Sequence, residues 1–348
     1  MEHWLNKRAS LTPNQIALEM EEESYTFYQL QQKVKTFAGQ LGRFQIKGHI
    51  GILSDNSSEM VIAFWACTYL QLPVVFLNTR LAISEWQQQC TDADVEWILT
   101  SSRYLDHAEH LNLTVKTFFE VKKLSVYEPA SVDEIDLHRV CSMMFTSGTT
   151  GRAKAVQHTF DNHWSSAVAS SLNLGLLSND KWLACLPLFH IGGLSILIKS
   201  VIYGMPVYLL EKFDTEKVHK AIMEDDVTIL SVVAVTCSRL LERLDEGQYP
   251  ASFRCMLLGG GPAPKPLLEK AQAKQVPIVQ TYGMTETCSQ IATLNEQDAL
   301  RKQGSAGKSL FSASLKIIGE NGECGAGQIG EIIVRGPYGI AWLLPSDY

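Results

Sequence analysis

The feature that most constrains the fold is an apolar strand that opens into a loop rich in glycine and hydroxyl groups. The strand covers residues 142–145, and the loop, closed by Lys154, contains Thr146, Ser147, Gly148, Thr149, Thr150 and Gly151. Glycines let the backbone approach an anion closely, hydroxyl and backbone N–H groups donate hydrogen bonds, and a lysine adds positive charge. The pattern predicts a phosphate-binding loop, with an ordinary polar turn between two strands as the alternative.

Spacing excludes a Walker A loop, which needs four residues between its glycines and then Gly-Lys-Ser/Thr. Gly148 stands only three positions before Gly151, and Arg152 occupies the position of the lysine. A second run, residues 304–309, ends in Gly-Lys-Ser but has only two residues between its glycines. Neither segment is therefore predicted to bind phosphate in the Walker manner.

Strand and helix patterns alternate along the rest of the chain. A capping box at Thr26 and Gln29 predicts a helix that continues to Leu41. Pro277 predicts an edge position or a strand start for the last strand. Strands are predicted at residues 49–54, 74–77, 97–100, 182–186, 207–210, 227–231, 254–258 and 276–280, and helices at 59–70, at 194–203 and from Asp214. This alternation predicts an α/β fold with doubly wound, parallel sheets.

Three further unusual loops follow predicted strands. Residues 187–193 include His190, residues 259–264 begin with three glycines, and residues 282–287 read Tyr-Gly-Met-Thr-Glu-Thr. Because ligands of such sheets bind outside the carboxyl ends of the strands, we expect these loops to converge with the phosphate loop on one crevice. For any single loop, the alternative is that its glycine merely ends a strand or caps a helix.

Two motifs resemble those of the adenylate-forming superfamily, which includes acyl- and aryl-CoA ligases, luciferases and the adenylation domains of peptide synthetases. Residues 146–154 are similar to its Thr-Ser-Gly-Thr-Thr-Gly-x-x-Lys signature, with Ala153 and Ala155 in place of the commoner Pro and Gly. Residues 282–287 are similar to its Tyr-Gly-x-Thr-Glu motif. The resemblance implies a large adenylation domain with doubly wound sheets and the start of a β-rich subdomain. It also implies ATP, Mg²⁺ and, for a second half-reaction, coenzyme A.

In adenylate formation a carboxylate attacks the α-phosphorus of ATP and expels pyrophosphate, so the protein supplies charge and positioning rather than a nucleophile. By the resemblance, residues 146–151 and Lys154 hold the β- and γ-phosphates, and Thr285 contacts the α-phosphate. Glu286 is expected to contact Mg²⁺, because a hard cation that bridges phosphates takes one or two carboxylates.

The resemblance also implies where adenine and the acid bind. Tyr282 packs on the adenine in the motif that continues with Gly283 and Met284, and His190 lies beside the carboxylate substrate. Three glycines, whose missing side chains leave room for a planar ring, are expected to line the adenine and acyl pockets: Gly259, Gly260 and Gly261.

Composition bears on partners and compartment. A net charge of -7 without a cluster of basic residues argues against a nucleic-acid or membrane-surface binder and favours small molecules as partners; the resemblance implies that this partner is a carboxylic acid. The eight scattered cysteines form no Cys-x-x-Cys pair, which predicts reduced, buried thiols in a cytoplasmic protein. No apolar run reaches the length of a transmembrane helix, so no membrane insertion is predicted. The formation of a homo-oligomer is left open.

Some stretches, among them residues 157–163, 257–264 and 285–290, resemble more narrowly the ligases that activate o-succinylbenzoate in menaquinone biosynthesis. That likeness implies formation of an acyl-adenylate and then a CoA thioester from this aromatic acid. Gly192 departs from the expected serine, and residues 338–348 do not continue the family pattern. We therefore expect an incomplete N-terminal adenylation domain over residues 1–337, an atypical tail, no mobile C-terminal domain and impaired activity.

Three other interpretations stay open. The chain could activate a different fatty or aryl acid as a CoA ligase, or it could be a peptide-synthetase adenylation domain. From a different class, it could be a non-catalytic nucleotide-binding fragment.

Overall fold

The computed structural model describes residues 1–126, 132–146, 153–337 and 339, together with the backbone of residues 343–344. Its α-helices are α1 (Trp4–Leu11), α2 (Phe27–Leu41), α3 (Ser58–Tyr69), α4 (Ile83–Asp92), α5 (Leu105–Ala108), α6 (Phe118–Lys122), α7 (Phe160–Leu174), α8 (Ile191–Tyr203), α9 (Thr215–Glu224), α10 (Ala234–Arg243) and α11 (Lys265–Ala273).

The strands of the same residues are β1 (Ile16–Glu19), β2 (Ser24–Thr26), β3 (His49–Leu53), β4 (Val74–Phe76), β5 (Val95–Thr100), β6 (Thr114–Thr117), β7 (Val140–Thr146), β8 (Lys154–Thr159), β9 (Trp182–Ala184), β10 (Val207–Leu209), β11 (Ile229–Val232), β12 (Cys255–Leu258), β13 (Ile278–Met284), β14 (Ser289–Leu294), β15 (Lys308–Ser309), β16 (Ser314–Gly319), β17 (Gly322–Glu323), β18 (Glu331–Arg335) and β19 (Leu343–Leu344).

The strands form two large sheets and one small one. The first large sheet has the order β19-β8-β7-β4-β3-β5-β6, the second β15-β14-β13-β12-β11-β9-β10-β1-β2, and the small sheet β17-β16-β18. Ladders within the middle of each large sheet are parallel, from β7 to β6 in the first and from β13 to β1 in the second. The predicted α/β class with doubly wound sheets and a β-rich start of a further subdomain is confirmed.

The capping and turn residues in the sequence predicted the ends of two helices correctly. Helix α2 begins after Thr26, whose Oγ1 accepts the N–H of Gln29 at 3.2 Å while Gln29 Oε1 accepts the N–H of Thr26 at 2.9 Å. Helix α8 ends at Gly204, whose φ of 73° lies in the left-handed region that glycine adopts without a steric cost. Capping and turn chemistry act over a few residues, so the sequence alone reveals them.

Other elements were not predicted. Strand β13 begins immediately after Pro277, but it pairs with β12 on one side and β14 on the other, so the strand-start prediction is confirmed and the edge prediction is wrong. The predicted strands did not include β14 and β15, nor β1, β2 and β6. Four of these strands have two to four residues, too few for an alternating pattern to stand out, whereas β14 has six residues and is defined by its antiparallel pairing with β13.

The main hydrophobic core joins both large sheets through buried helices. It contains Ile50 and Val74 from the first sheet, Val207 and Ile229 from the second, and most of α3 and α8. Every residue of α3 except Glu59 is buried, which is the pattern of a helix enclosed on all sides rather than an amphipathic surface helix. The two sheets are therefore held around a common core, which fixes the carboxyl ends of their strands relative to one another.

The eight cysteines are all free thiols, and seven of them are buried, with Cys324 partly exposed. The prediction of reduced, buried thiols is confirmed for those seven.

Within the described ranges no helix is both long and apolar enough to cross a lipid bilayer.

Candidate active site

A cleft of about 1060 Å³ opens at the carboxyl ends of strands from both large sheets. Three of the four loops singled out in the sequence contribute to its lining: Pro187, Phe189, His190, Ile191, Gly192 and Gly193 from the first; Gly259 and Gly260 from the second; Gly283, Met284 and Thr285 from the third. Thr79 and Arg80 add a further loop after β4. The prediction that the loops converge on one crevice is confirmed for these three.

Three of the predicted site residues in those loops, Gly261, Tyr282 and Glu286, are not among the residues that line the cleft. Gly261 is exposed, and a Cβ added there would meet no atom within 4 Å. Tyr282 is half-buried and packs against the main core. The binding role expected of Gly261 therefore stays a prediction, and Tyr282 lies next to the lining residue Gly283.

The phosphate loop can be followed at its two ends. Ser147, Gly148, Thr149, Thr150 and Gly151 lie outside the described residues. Thr146 and Lys154 face each other in the antiparallel ladder of β7 and β8, so the loop between them closes a hairpin. This geometry brings the hydroxyl at the loop's start and the ammonium at its end to neighbouring positions.

The hairpin is joined to the Tyr282–Thr287 segment by two contacts. Thr146 Oγ1 donates to Glu286 Oε1 at 3.3 Å, and His158 Nε2–H on β8 donates to the carbonyl oxygen of Thr285 at 2.7 Å. Burial lowers the pKa of His158 to about 4, so the ring is neutral at pH 7 and carries its proton on Nε2. The metal candidate Glu286 and the α-phosphate candidate Thr285 are thereby held beside the start of the predicted phosphate loop, and no local sequence pattern predicts this role for His158.

The backbone of the same segment requires glycine at one position. Between Tyr282 and Gly283 the register of β13 against β14 shifts, and a Cβ at Gly283 would lie 1.9 Å from the carbonyl oxygen of Ser289. The chain then makes a short 3₁₀ turn over Thr285–Thr287, in which Thr287 Oγ1 donates to the Met284 carbonyl at 3.1 Å. The close strand contact explains physically why the motif carries Gly before Met-Thr-Glu.

His190 is exposed in the cleft at the start of α8. Its ring packs edge-on against Phe189, with 4.7 Å between the ring centroids. Desolvation and the nearby positive charge of Arg80 lower the pKa of His190, so it is a neutral hydrogen-bonding group at pH 7. The site can therefore present a polar, uncharged edge to a bound acid.

Asn56, a residue that the sequence did not single out, clamps the loop that carries His190. Its Oδ1 accepts the N–H of Leu188 at 2.8 Å, and its Nδ2 donates to the carbonyls of Leu186 and Leu210 at 3.0 Å. The side chain is buried, and it comes from the loop after β3 in the opposite sheet. A lone asparagine 130 residues away carries no local signal for this contact.

We expect Asn56→Ala to lower the free energy of unfolding by about 2 kcal/mol, because it leaves one buried N–H and two carbonyls without their partner. It should also lower kcat/KM, since the His190 loop loses its anchor. Denaturant unfolding and steady-state kinetics measure the two effects. Gln87→Ala on the exposed face of α4 is the control, and an Asn56→Ala variant as stable as that control would contradict the assignment.

The buried floor of the cleft adds polar residues that the sequence analysis did not select as site residues. Ser195 and Lys199 come from α8, Ser231 from β11 and Gln290 from β14, and all four are buried. Trp182 on β9 provides an aromatic wall.

Comparisons with known proteins agree with this geometry. The model of the AMP-binding enzyme family matches residues 5–341. The 2-succinylbenzoate–CoA ligase of Oceanobacillus iheyensis is 52% identical over 342 residues, which cover 96% of this chain and 70% of the relative.

Two solved structures of one Bacillus subtilis enzyme, o-succinylbenzoate CoA synthetase (MenE), are similar along the whole chain. The complex with the acyl-adenylate intermediate OSB-AMP has a TM-score of 0.96 and 42% identity, and covers 100% of this chain and 72% of that one. The complex with ATP and magnesium ion has a TM-score of 0.95 and 42% identity, and the match covers 99% of this chain and 73% of that one.

Proposed function

Because the chain belongs to the AMP-binding enzyme family and, within it, to the 2-succinylbenzoate–CoA ligases, we propose that its cleft adenylates 2-succinylbenzoate with ATP. One observation carries this assignment. The His190 loop and the Thr285 turn line a single cleft, and Glu286 lies in hydrogen-bond contact with the start of the phosphate loop. An acid and a triphosphate can therefore meet at one point.

The reaction needs in-line approach of two anions. A substrate carboxylate oxygen attacks the α-phosphorus of ATP, the bond to the bridging oxygen breaks, and pyrophosphate leaves with that oxygen. In a second half-reaction the thiol of coenzyme A attacks the acyl carbon and AMP leaves. Since the protein supplies no nucleophile in the first step, its contribution is orientation and charge neutralisation.

We assign the nucleotide contacts from the positions of the described residues. Thr146 and Lys154, with residues 147–151 between them, would hold the β- and γ-phosphates, and Thr285 would contact the α-phosphate. Gly259, Gly260, Gly283 and Met284 would border the nucleotide, where the missing glycine side chains leave room for adenine. Tyr282, which packs against the main core, would support the backbone of these residues.

The residues present fit a Mg²⁺ ion bound together with the phosphates. Glu286 offers a half-buried carboxylate next to Thr146, and in the described ranges no group of three or more His, Cys, Asp and Glu side chains forms a complete metal cage. That is the donor set expected for Mg²⁺, which keeps waters and phosphate oxygens and takes one or two carboxylates. When bound, the ion neutralises charge on the phosphates.

The acid would enter beside His190 and Phe189, with its reactive carboxylate directed at Thr285.

The buried free thiols further support a reducing compartment, the cytoplasm, as the site of the reaction.

Mass spectrometry of acyl-AMP, after incubation with ATP, Mg²⁺ and a panel of acids, tests the proposal. We expect an adenylate from 2-succinylbenzoate and much less from decanoate, benzoate or amino acids. A preference for decanoate or an amino acid would assign the chain to another branch of the family. Nucleotide binding without an adenylate from any acid would contradict the proposed activity.

A further inference from the structure

The 3₁₀ turn that carries Thr285 and Glu286 is followed by two residues whose backbone lies in the left-handed region. Cys288 has a φ of 50° and Ser289 has a φ of 99°. Neither residue is glycine, and a side chain in this region is strained, so the conformation persists only where surrounding contacts fix it. The turn at Cys288 therefore needs contacts from elsewhere in the fold.

Helix α7 supplies contacts of this kind. Ser166 Oγ donates to the carbonyl oxygen of Cys288 at 2.7 Å, and His163 Nδ1 lies 3.2 Å from Cys288 Sγ. The other ring nitrogen, His163 Nε2, lies 2.9 Å from Ser142 Oγ on β7. The imidazole of His163 therefore joins the strand that leads into the predicted phosphate loop to the turn that follows Glu286.

Burial excludes a nucleophilic role for this cluster. None of its four side chains lines the cleft that the described residues form, and each is at most 2% exposed: Ser142, His163, Ser166 and Cys288. Burial raises the pKa of the Cys288 thiol well above its usual value, so the reactive thiolate does not form at pH 7. The cluster therefore contributes geometry rather than a reacting group.

The hydrogen bonds of the cluster are complete. Burial, and then the nearby His158 and Lys199, lower the pKa of His163 well below its usual value, so the ring is neutral. A neutral imidazole donates from one nitrogen and accepts at the other. Because Ser142 and Cys288 can each donate or accept, both nitrogens are paired in either tautomer. Loss of one member would leave a buried polar group without its partner.

The turn is thus held on both sides of Glu286. The contacts of Thr146 and His158 reach it at Glu286 and at the Thr285 carbonyl, and the contacts of α7 reach it at Cys288. Strands β7 and β8 and helix α7 follow one another in the chain, and the phosphate loop lies between the two strands. One structural unit therefore both carries that loop and holds the turn.

We propose that His163 and Ser166 are positioning residues for adenylate formation, because they fix the left-handed turn at Cys288 and so place Thr285 and Glu286 beside the phosphate loop. This inference rests on the proposed function, which assigns the α-phosphate to Thr285 and Mg²⁺ to Glu286. A turn that is fixed before ATP arrives does not have to be ordered by binding, which favours both affinity and rate.

Ser166→Ala removes the hydroxyl that donates to the Cys288 carbonyl. It should raise the Mg²⁺·ATP concentration for half-maximal ATP–pyrophosphate exchange about 10-fold, whereas the KM for 2-succinylbenzoate should change less than about 3-fold. The matched control is Ser165→Ala, since the Ser165 hydroxyl donates to Asp161 within α7 at 3.4 Å. Equal increases in both constants, or a loss of stability without a kinetic change, would make Ser166 a structural residue and overturn the proposal.

Two substitutions of Cys288 isolate its contact with His163, since both keep a side chain in the left-handed region. Cys288→Ala loses the contact and should raise the same half-maximal concentration about 10-fold. Cys288→Ser keeps a group that can donate or accept and should stay within about 3-fold of wild type. Both variants remove the sulfur, so a role in packing alone would not produce this rescue. Equal kinetics of the two variants would contradict the role of His163.

Hydrogen exchange distinguishes failure of this inference from failure of the proposed function. It is measured on the whole chain without nucleotide, at the amides of Met284 and Cys288. These N–H groups donate within the turn, to Thr287 Oγ1 and to the Thr285 carbonyl, both at 3.0 Å, so they report on its opening.

These two amides should exchange at least about 10-fold faster in Ser166→Ala than in Ser165→Ala. Faster exchange in a chain that forms no adenylate from any acid would refute the activity, while the inference about the turn would stand. Equal exchange in the two variants would overturn the inference, whatever the activity.

Discussion

Glu286→Gln is expected to lower kcat for acyl-adenylate formation by at least about 100-fold, the range seen when a charge-stabilising group at a reacting centre is removed. The substitution keeps the size of the side chain and an oxygen that can accept from Thr146 Oγ1, which lies 3.3 Å from Glu286 Oε1. The hairpin contact is thus preserved, and only the negative charge is lost. A large effect would therefore report on the charge that is proposed to face Mg²⁺.

The measurement is ATP–pyrophosphate exchange at increasing Mg²⁺ concentration. We expect a higher Mg²⁺ concentration for half-maximal rate in addition to the lower kcat, because the carboxylate would hold part of the ion's coordination shell. Glu296→Gln, at an exposed position ten residues later, is the control and should behave as wild type. Near-normal exchange by Glu286→Gln would remove this residue from the metal site.

The second large effect is expected at the ion pair between Asp180 and Arg254. Arg254 donates from Nε to Asp180 Oδ1 at 2.7 Å and from Nη2 to Oδ2 at 2.6 Å. The Asp180 side chain is 1% exposed, and it also accepts from the Leu177 N–H. Arg254→Met would leave this carboxylate without its counter-charge, so we expect the free energy of unfolding to fall by about 3 kcal/mol or more.

The pH dependence gives a further check on that pair. Burial by itself raises the pKa of Asp180, but the hydrogen bonds and charge of Arg254, with those of Leu177 and Thr228, hold it below its usual range. A carboxyl with a lowered folded-state pKa stabilises the fold above its unfolded pKa of about 3.9 and loses that contribution as the pH falls through the folded value. The difference in free energy of unfolding between wild type and Arg254→Met should therefore become smaller below about pH 4.

Urea unfolding at several pH values measures both expectations. Lys265→Met is the control, since Lys265 and Glu269 form an exposed pair on α11 with 3.5 Å between Nζ and Oε1. Exposed ion pairs contribute little to stability, so the free energy of unfolding of this variant should differ from that of wild type by less than about 0.5 kcal/mol. If Arg254→Met and Lys265→Met had the same free energy of unfolding, the ion pair between Asp180 and Arg254 would have no special role in stability.

The positions of the loops were largely predictable because strand ends and glycine turns are local features. The prediction that residues 187–193, 259–264 and 282–287 share one crevice needed only the rule that parallel strands present their carboxyl ends to the same edge. The same rule does not say which residues of a loop line the crevice: Gly259 and Gly260 do, whereas Gly261 is exposed and does not.

What the sequence by itself determined is the alternation of strands and helices, the caps at Thr26 and Gly204, and the two motif loops with their glycines, hydroxyl groups and charged side chains. All of these depend on residues a few positions apart. The tertiary structure alone decided that Asn56 holds the His190 loop and that His158 holds the Thr285 turn. It also placed His163 of α7 between Ser142 and Cys288, which are distant in sequence. Such buried contacts arise only when the two sheets close around a common core, and no local pattern records them.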